Sequence, residues 1–265
     1  MENMEIKKME EIARLSRLHV LDMVTLTKSS HICSCYSIVE ILVYLYGSGR
    51  ISNNNKFLLS KGHASAALYA VLAEYGFFSV DRLKEFASNG SIFMSHINSD
   101  VPGVSFSTGS LGHALPVSVG IALSKIDVKD KVYVLLSDGE LNEGSNWEAL
   151  LLSSQLHLSN LIICIDCNKI QGLGYTLNVI DMISLEQKFK SFGCEVLTAD
   201  GHSYQDIDTT FNQADRLSNL NKPIVIIFNT IKGKGVSFME NKVEWHYKSP
   251  NEVEYRLAKQ ELNNS

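Results

Sequence analysis

Two apolar runs, 132–136 and 161–165, each end in a polar tip, and one amphipathic stretch, Glu143-Gly-Ser-Asn-Trp-Glu-Ala-Leu-Leu, lies between them. The first tip is Ser137-Asp138-Gly139 and the second is Asp166-Cys167-Asn168. Apolar runs without alternation are what strands buried on both faces of a parallel sheet require. Parallel neighbours need a long crossover, usually a helix, and the intervening stretch supplies one. The unit reads strand, carboxylate, helix, strand, amide. It sets Asp138 and Asn168 side by side at the carboxyl ends of two strands, where open α/β sheets bind ligands. A carboxylate, an amide oxygen and a backbone carbonyl are hard donors of the kind Mg²⁺ or Ca²⁺ takes while gripping phosphate oxygens. A diphosphate carried on a metal is the ligand this pattern predicts.

The alternation runs to the end of the chain. Apolar residues at helical spacing mark 6–26, 37–46, 64–75, 80–87 and 112–125. Strands are expected at 131–136, 161–166, 194–199 and 222–229, helices at 145–157, 183–191 and 203–217, and a charged tail helix at 251–263. Strands separated by helices imply right-handed crossovers and a parallel sheet covered on both faces. The expected fold is one doubly wound α/β domain over residues 1–265, with N-terminal helices, 6–90, packed around the sheet. No repeat, low-complexity tract or linker interrupts it.

The chain of 265 residues is 45% hydrophobic and 20% charged, an ordinary composition for a protein with a packed core. Lys and Arg number 24 against 29 Asp and Glu, a net charge of −5, so no global basic field invites nucleic acid. No apolar stretch approaches the roughly 18 residues of a membrane span. The start, Met-Glu-Asn-Met-Glu-Ile-Lys-Lys, is too charged for a secretory signal, and a cytoplasmic location is expected. Five cysteines in a chain too large to need disulfide staples are expected to be reduced. Cys164-x-x-Cys167 has metal or redox spacing, but without a second pair it reads as core packing, and Cys33-x-Cys35 lacks companions too.

Ser107-Thr-Gly-Ser-Leu-Gly-His113 precedes a helix with small residues whose N–H groups can approach an anion or a flat ring closely. Alone, such a turn merely opens a helix; its place just upstream of Asp138 gives it weight. No Gly-x-x-x-x-Gly-Lys-Ser/Thr occurs, which argues against a P-loop nucleotidase. Gly172-Leu-Gly174 opens no clear helix, which argues against a dinucleotide fingerprint. Of eight histidines, His31, His63, His96 and His246 fall in expected loops or helix starts. Gathered at one edge of a sheet they would exchange protons near neutral pH. Taken singly, each reads more simply as a surface or hydrogen-bonded structural histidine, as His19, His157 and His202 do.

Five ordered motifs resemble the N-terminal part of transketolases. They are Leu59-Ser-Lys-Gly-His-Ala-Ser-Ala-Ala-Leu-Tyr69, Ser107-Thr-Gly-Ser-Leu-Gly-His113, Leu136-Ser-Asp-Gly-Glu-Leu-Asn-Glu-Gly-Ser-Asn-Trp-Glu-Ala149, Asp166-Cys-Asn-Lys-Ile170, and Lys232-Gly-Lys-Gly-Val-Ser-Phe-Met-Glu240 with Glu244-Trp-His246 behind it. The likeness runs over roughly residues 8–262. It implies the thiamine diphosphate-binding fold of the diphosphate type. Asp138, Asn168 and the carbonyl of Ile170 would hold Mg²⁺ (or Ca²⁺) against the diphosphate. Gly139, with Glu140 beside it, would bring an amide to a phosphate oxygen. His63 and His246 would line the diphosphate and the reacting carbon, and Gly109, Ser110 and Leu111 would flank the cofactor's two rings. His31 and His96 would handle hydroxyl protons of a sugar. Glu143 would link paired active sites across an interface, although a lone acid at a helix start also reads as a cap on the helix dipole. The implied activity is transfer of a two-carbon ketol unit from a ketose to an aldose or keto-sugar acceptor, on sugar phosphates or nucleotide sugars.

Three segments depart from the family pattern. Ser137 stands for the first glycine of Gly-Asp-Gly; serine is small, so cofactor binding is expected to survive. Ser30-His-Ile-Cys-Ser-Cys-Tyr-Ser37 replaces a glycine-rich stretch, and His246-Tyr-Lys-Ser-Pro250 replaces a His-Gly-x-Pro run. Both fall at the substrate mouth, so a donor or acceptor unlike the ordinary pentose phosphates is expected. The chain stops before the family's pyrimidine-binding domain, which implies that a separate C-terminal subunit carries it, in a heterotetramer (α₂β₂). Two other readings stay open: a subunit of a 2-oxo acid dehydrogenase or deoxyxylulose phosphate synthase, and a non-catalytic scaffold subunit.

Overall fold

A computed structural model describes residues 3–128, 130–182 and 184–264. Helix α1, Asn3–Thr27, buries Ile6, Met9, Ile12, Val20 and Val24 along one side. The short α2, Ile32–Tyr36, and α3, Val39–Gly47, follow it. Then come β1, Lys56–Leu59, α4, Ser65–Glu74, α5, Ala114–Ser124, β2, Val132–Ser137, α6, Gly144–Gln155, and β3, Leu161–Cys167. A small hairpin of β4, Ile170–Gln171, and β5, Gly174–Tyr175, leads into α7, Thr176–Val179, and α8, Leu185–Ser191. The chain finishes with β6, Glu195–Asp200, α9, Tyr204–Leu217, β7, Ile224–Asn229, and α10, Glu252–Asn264.

The main sheet has the order β1-β2-β3-β7-β6, and every neighbouring pair is parallel. Alternate strand residues face opposite layers. Phe57, Tyr133, Leu135, Ile162 and Phe228 join the core shared with α1, α3, α4 and α9. Leu58, Val134, Leu136, Ile163 and Val225 join the core shared with α5, α6 and α8. Both faces are buried, which is why the strands read as unbroken apolar runs. After β3 the chain runs out to β6 and returns to β7 inside it. The strand order therefore reverses beside β3, and the tips of β1, β2, β3 and β7 flank that point.

Several elements escape sequence patterning. Strand β1 is four residues long behind Ser52-Asn-Asn-Asn55, too short to show a period, and pairs only with β2. Helix α2 and the β4–β5 hairpin with α7 are short for the same reason. Val80–Glu85 is a 3₁₀ turn rather than an α-helix reaching residue 87. Side chains three apart eclipse there, and the Asp81–Lys84 and Arg82–Glu85 pairs use that spacing. Position 183, where the sequence places a helix start, lies outside the described residues, as do positions 1, 2, 129 and 265 of the expected domain. All five cysteines are free, and burial pushes the Cys33 and Cys35 thiols up to about 12 and about 11. Among the described residues no helix is long and apolar enough to cross a membrane.

One buried ion pair locks α1 to α3. Arg17 meets both Glu40 oxygens at 2.8 Å. Ile231 N–H donates to His202 Nε2 at 2.8 Å, so Nδ1 carries the proton and donates to Glu40 Oε2 at 3.0 Å. The cluster thereby anchors the loop after β7. Burial pushes the Glu40 carboxyl up, but Arg17 and His202 outweigh it and hold it at about 2. The stability this contributes is complete above the ordinary value of 4.5 and is lost as pH falls through about 2. Replacing Arg17 by methionine strands the carboxylate and should lower unfolding free energy by about 3–5 kcal/mol at neutral pH, measured by urea denaturation. An unchanged urea midpoint would contradict this assignment.

Candidate active site

Strand β3 is apolar until Asp166, which is fully buried. A bare carboxylate there would be prohibitively costly, and this one collects four donors. Lys61 Nζ (2.5 Å), Ser37 Oγ (2.7 Å) and Asn168 Nδ2 (2.8 Å) donate to Oδ2, and Thr230 Oγ1 donates to Oδ1. Burial pushes the carboxyl up, but Lys61 and the hydroxyls outweigh it and keep it below the ordinary carboxylate range. Because Asp166 holds the Asn168 NH₂, the Asn168 oxygen turns the other way and accepts Ile170 N–H at 3.1 Å.

Asp138, at the tip of β2, is 5% exposed. Its oxygens accept Gly139 N–H at 2.8 Å and Lys169 N–H at 2.6 Å. Burial and the neighbouring Asp166 push its carboxyl up to about 6. Gly139 is required where it stands, because a Cβ would lie 2.7 Å from the Gln171 Cβ on the facing tip. The Glu140 carboxylate accepts from the Ser60 hydroxyl, Gly112 N–H (2.8 Å) and Ser137 N–H (3.3 Å), clasping the glycine-rich turn to the β2 tip. Lys232, 2% exposed, donates to the Ile170 carbonyl at 3.0 Å and to His246 Nδ1 at 2.9 Å. Burial and the nearby Lys61 push it down to about 8.

Three histidine rings converge above these tips. The His31 centroid lies 4.9 Å from that of His63 and 5.2 Å from that of His246, with His63 and His246 6.1 Å apart. His31 adopts φ 72°, a left-handed conformation costing about 1–3 kcal/mol outside glycine. Its N–H donates to the His246 carbonyl at 3.0 Å, which helps hold it there. Burial, followed by neighbouring cationic groups, pushes His31 down to about 4 and His246 to about 3, and holds His63 well below its ordinary value. All three imidazoles are neutral at neutral pH.

A cavity of about 220 Å³ gathers most of the expected residues: His31, His63, His96, His246, Gly109, Leu111, Gly139, Glu140, Asn168 and Ile170. Three expected residues lie elsewhere. Ser110 lines an adjoining hollow of about 500 Å³ beside Phe106 and His113. Asp138 borders a second cleft, about 520 Å³, with Tyr175, Leu177 and Met182. Glu143 is exposed at the N-cap position of α6, where its charge suits the helix dipole, although its side chain makes no capping hydrogen bond. Sequence reasoning passed over Lys61, Lys232, Asp166, Ser34 and Gln171. The signal for the first three was a charged residue at the end of an apolar strand or run, where lysine and aspartate are seldom buried unless paired.

The residues present suit a metal-bound diphosphate. Asp138 is buried with no ion-pair partner among the described residues, and the amide and carbonyl oxygens of Asn168 and Ile170 sit on the next strand tip. Among the described residues no group of three or more His, Cys, Asp or Glu is arranged around a metal, so a cation here would rely on this mixed oxygen set. The Ser34 hydroxyl and Gln171 Nε2 both belong to cavity-lining residues and are buried without a hydrogen-bond partner. Anionic oxygens would satisfy both. Lowered histidine values also set a pH dependence. The unfolded chain binds these protons near 6.5, so stability should fall as pH drops below that value, by up to about 1.4 kcal/mol per pH unit for each histidine. In ¹³C-histidine NMR the His31 and His246 rings should keep neutral shifts down to about pH 5; midpoints near 6.5 would contradict the buried, cation-flanked geometry.

Comparison with known proteins agrees with this geometry. Residues 8–264 match the family described as transketolase, thiamine diphosphate binding domain. The chain is 41% identical over 237 residues to an apulose-4-phosphate transketolase subunit of Actinobacillus succinogenes, covering 84% of each chain. It is 36% identical over 272 residues to the like-named subunit of Phocaeicola vulgatus, covering 98% of this chain and 95% of that one. It superposes on the transketolase of Leishmania mexicana with a TM-score of 0.88 at 26% identity, covering 96% of this chain but only 41% of that one. With its strand tips, oxygen donors and histidines so arranged, the chain belongs to the transketolase family, as its thiamine diphosphate-binding domain.

Proposed function

We propose that this chain is one subunit of a split transketolase, a single diphosphate-binding domain that works with a separate C-terminal subunit. The pair transfers a two-carbon ketol unit from a ketose to an aldose or keto-sugar acceptor. The observation that carries this reading is the convergence of four strand tips, the Asn168 and Ile170 residues and neutral histidines on one cavity, with the Asp138 carboxylate at the neighbouring strand tip. Relatives that are themselves named as transketolase subunits, one of them matched over 95% of its length, support the division into two chains. Free thiols support a reducing, cytoplasmic setting.

Asp138, Asn168 and the Ile170 carbonyl would hold Mg²⁺, or Ca²⁺, which takes the same donors. Lys232 and Ser34 face the same cavity and offer donors to a diphosphate. When bound, thiamine diphosphate supplies the carbon nucleophile and the electron sink for breaking a bond beside a carbonyl. The histidines then move protons of the sugar. Lys232 donates to His246 Nδ1, so Nε2 carries the proton and is the donor His246 can offer. His31 and His63, held neutral, can each take a hydroxyl proton and return it. His96 stands exposed at the rim, its ring against Gly109, where it can meet a more distant hydroxyl. Glu143, exposed at the start of α6, would contact another copy in a heterotetramer.

Four histidines around one cavity suit a polyhydroxylated substrate better than a small 2-oxo acid. Given the names of its relatives, apulose 4-phosphate is the first donor to test, followed by other ketose phosphates and nucleotide-linked keto sugars. The chain should be mixed with its C-terminal partner, Mg²⁺ and thiamine diphosphate, and ketol transfer to aldose phosphates followed. Turnover should need both chains, and Asp138→Ala should lose at least the roughly 10–100-fold that follows removal of a metal's supporting residues. No transfer from any ketol donor would refute the reading. Pyruvate decarboxylation by the pair would point to the 2-oxo acid enzymes instead, and binding heats unchanged by Asp138→Ala would point to a scaffold.

A further inference from the structure

Tyr247 follows His246 at the mouth of the histidine cavity and has no part in the roles above. Its ring stands edge-on to His246, with centroids 4.6 Å apart at 67°, and to His31, 5.5 Å apart at 71°. The hydroxyl end crosses the turn of the β4–β5 hairpin. A Cβ on Gly172 would lie 2.5 Å from the phenol oxygen and 3.2 Å from the carbon that bears it. Gly172 is therefore bare where the ring passes, and a side chain there would displace the ring. Tyr247 is 63% exposed yet still lines the cavity. Among the described residues its hydroxyl has no hydrogen-bond partner.

Two imidazoles on one side and a bare backbone on the other fix an aromatic wall with an uncommitted hydroxyl at the outer end of the cavity. An exposed ring at that end suits contact with the far end of a substrate better than contact with groups held at the buried strand tips. The ring stands at the exposed edge of the cavity, beside His31 and His246, where its bulk narrows the approach to those histidines. We propose that Tyr247 is a specificity-determining residue. Its ring shortens the mouth so that short-chain sugar phosphates enter and extended ones are turned away, and its hydroxyl bonds a hydroxyl or phosphate oxygen of the substrate admitted. The inference rests on the ketol transfer proposed above.

The test uses the complex with the partner subunit, with glyceraldehyde 3-phosphate and ribose 5-phosphate as short and long acceptors. Wild type should prefer the shorter. Tyr247→Gly should raise kcat/KM for ribose 5-phosphate relative to glyceraldehyde 3-phosphate by about 10-fold or more, mostly through KM, as expected when a pocket gains room for extra carbons. Tyr247→Phe should keep the length preference and raise KM for both by about 5-fold, the effect of one lost hydrogen bond. An acceptor ratio that Tyr247→Gly leaves unchanged overturns the proposal. If the wild-type complex transfers from no donor, the transferase reading fails. Calorimetric binding of the same two sugar phosphates then decides Tyr247 separately. A length preference relaxed by Tyr247→Gly sustains its role, whereas equal preferences, or no binding to either form, overturn it.

Discussion

A carboxylate buried at the tip of the central strand organises the molecule's functional end. Ionised Asp166 could not remain there alone, since desolvating an unpaired ion costs several kcal/mol even after relaxation. Its four donors come from four different segments: the β1 tip, the turn between α2 and α3, the start of the loop after β7, and Asn168 two residues on. Each delivers a working group. Lys61 brings His63, Ser37 fixes the helix that begins at His31, Thr230 precedes Lys232, and Asn168 has its amide oxygen oriented. A buried ion pair is weak evidence for stability. Here its evident product is geometry.

The electrostatics follow from that arrangement. Burial first, and then the two lysines buried within the site, leave the His31 and His246 imidazoles without their second proton. Asp138 is left under the opposite pressure, pushed up to about 6 by burial and by Asp166. A divalent cation beside Asp138 and a diphosphate beside Lys232 would relieve both at once. On the proposed function, these charges would form a fixed field complementary to a metal–diphosphate pair, in the manner of preorganised sites generally.

Much of this was legible in the chain. Long parallel strands announce themselves as apolar runs, and the Asp138 and Asn168 tips stand out because polarity switches on abruptly there. The histidines could be proposed as a set only through the family likeness, since His31, His63, His96 and His246 lie far apart in sequence and nothing local says they meet. What stayed hidden was hidden for physical reasons. Strand β1 and the β4–β5 hairpin are too short to carry a period. Asp166 looked like the end of a strand, and its role depends on Ser37, Lys61 and Thr230, which only the tertiary fold brings to it. The Glu140 carboxylate lines the cavity, as expected, and also holds the glycine-rich turn in place, a contact that no local pattern announces.

The central claim is that oxygens from adjacent strand tips seat a divalent cation for a diphosphate. Crystals of the chain with its partner subunit, grown with thiamine diphosphate and Mn²⁺ in place of Mg²⁺, test it through the metal's anomalous scattering. One strong peak is expected, flanked by the Asp138 carboxylate, the Asn168 amide oxygen and the Ile170 carbonyl. Clear cofactor density with the metal peak elsewhere, or with none beside those oxygens, would contradict it.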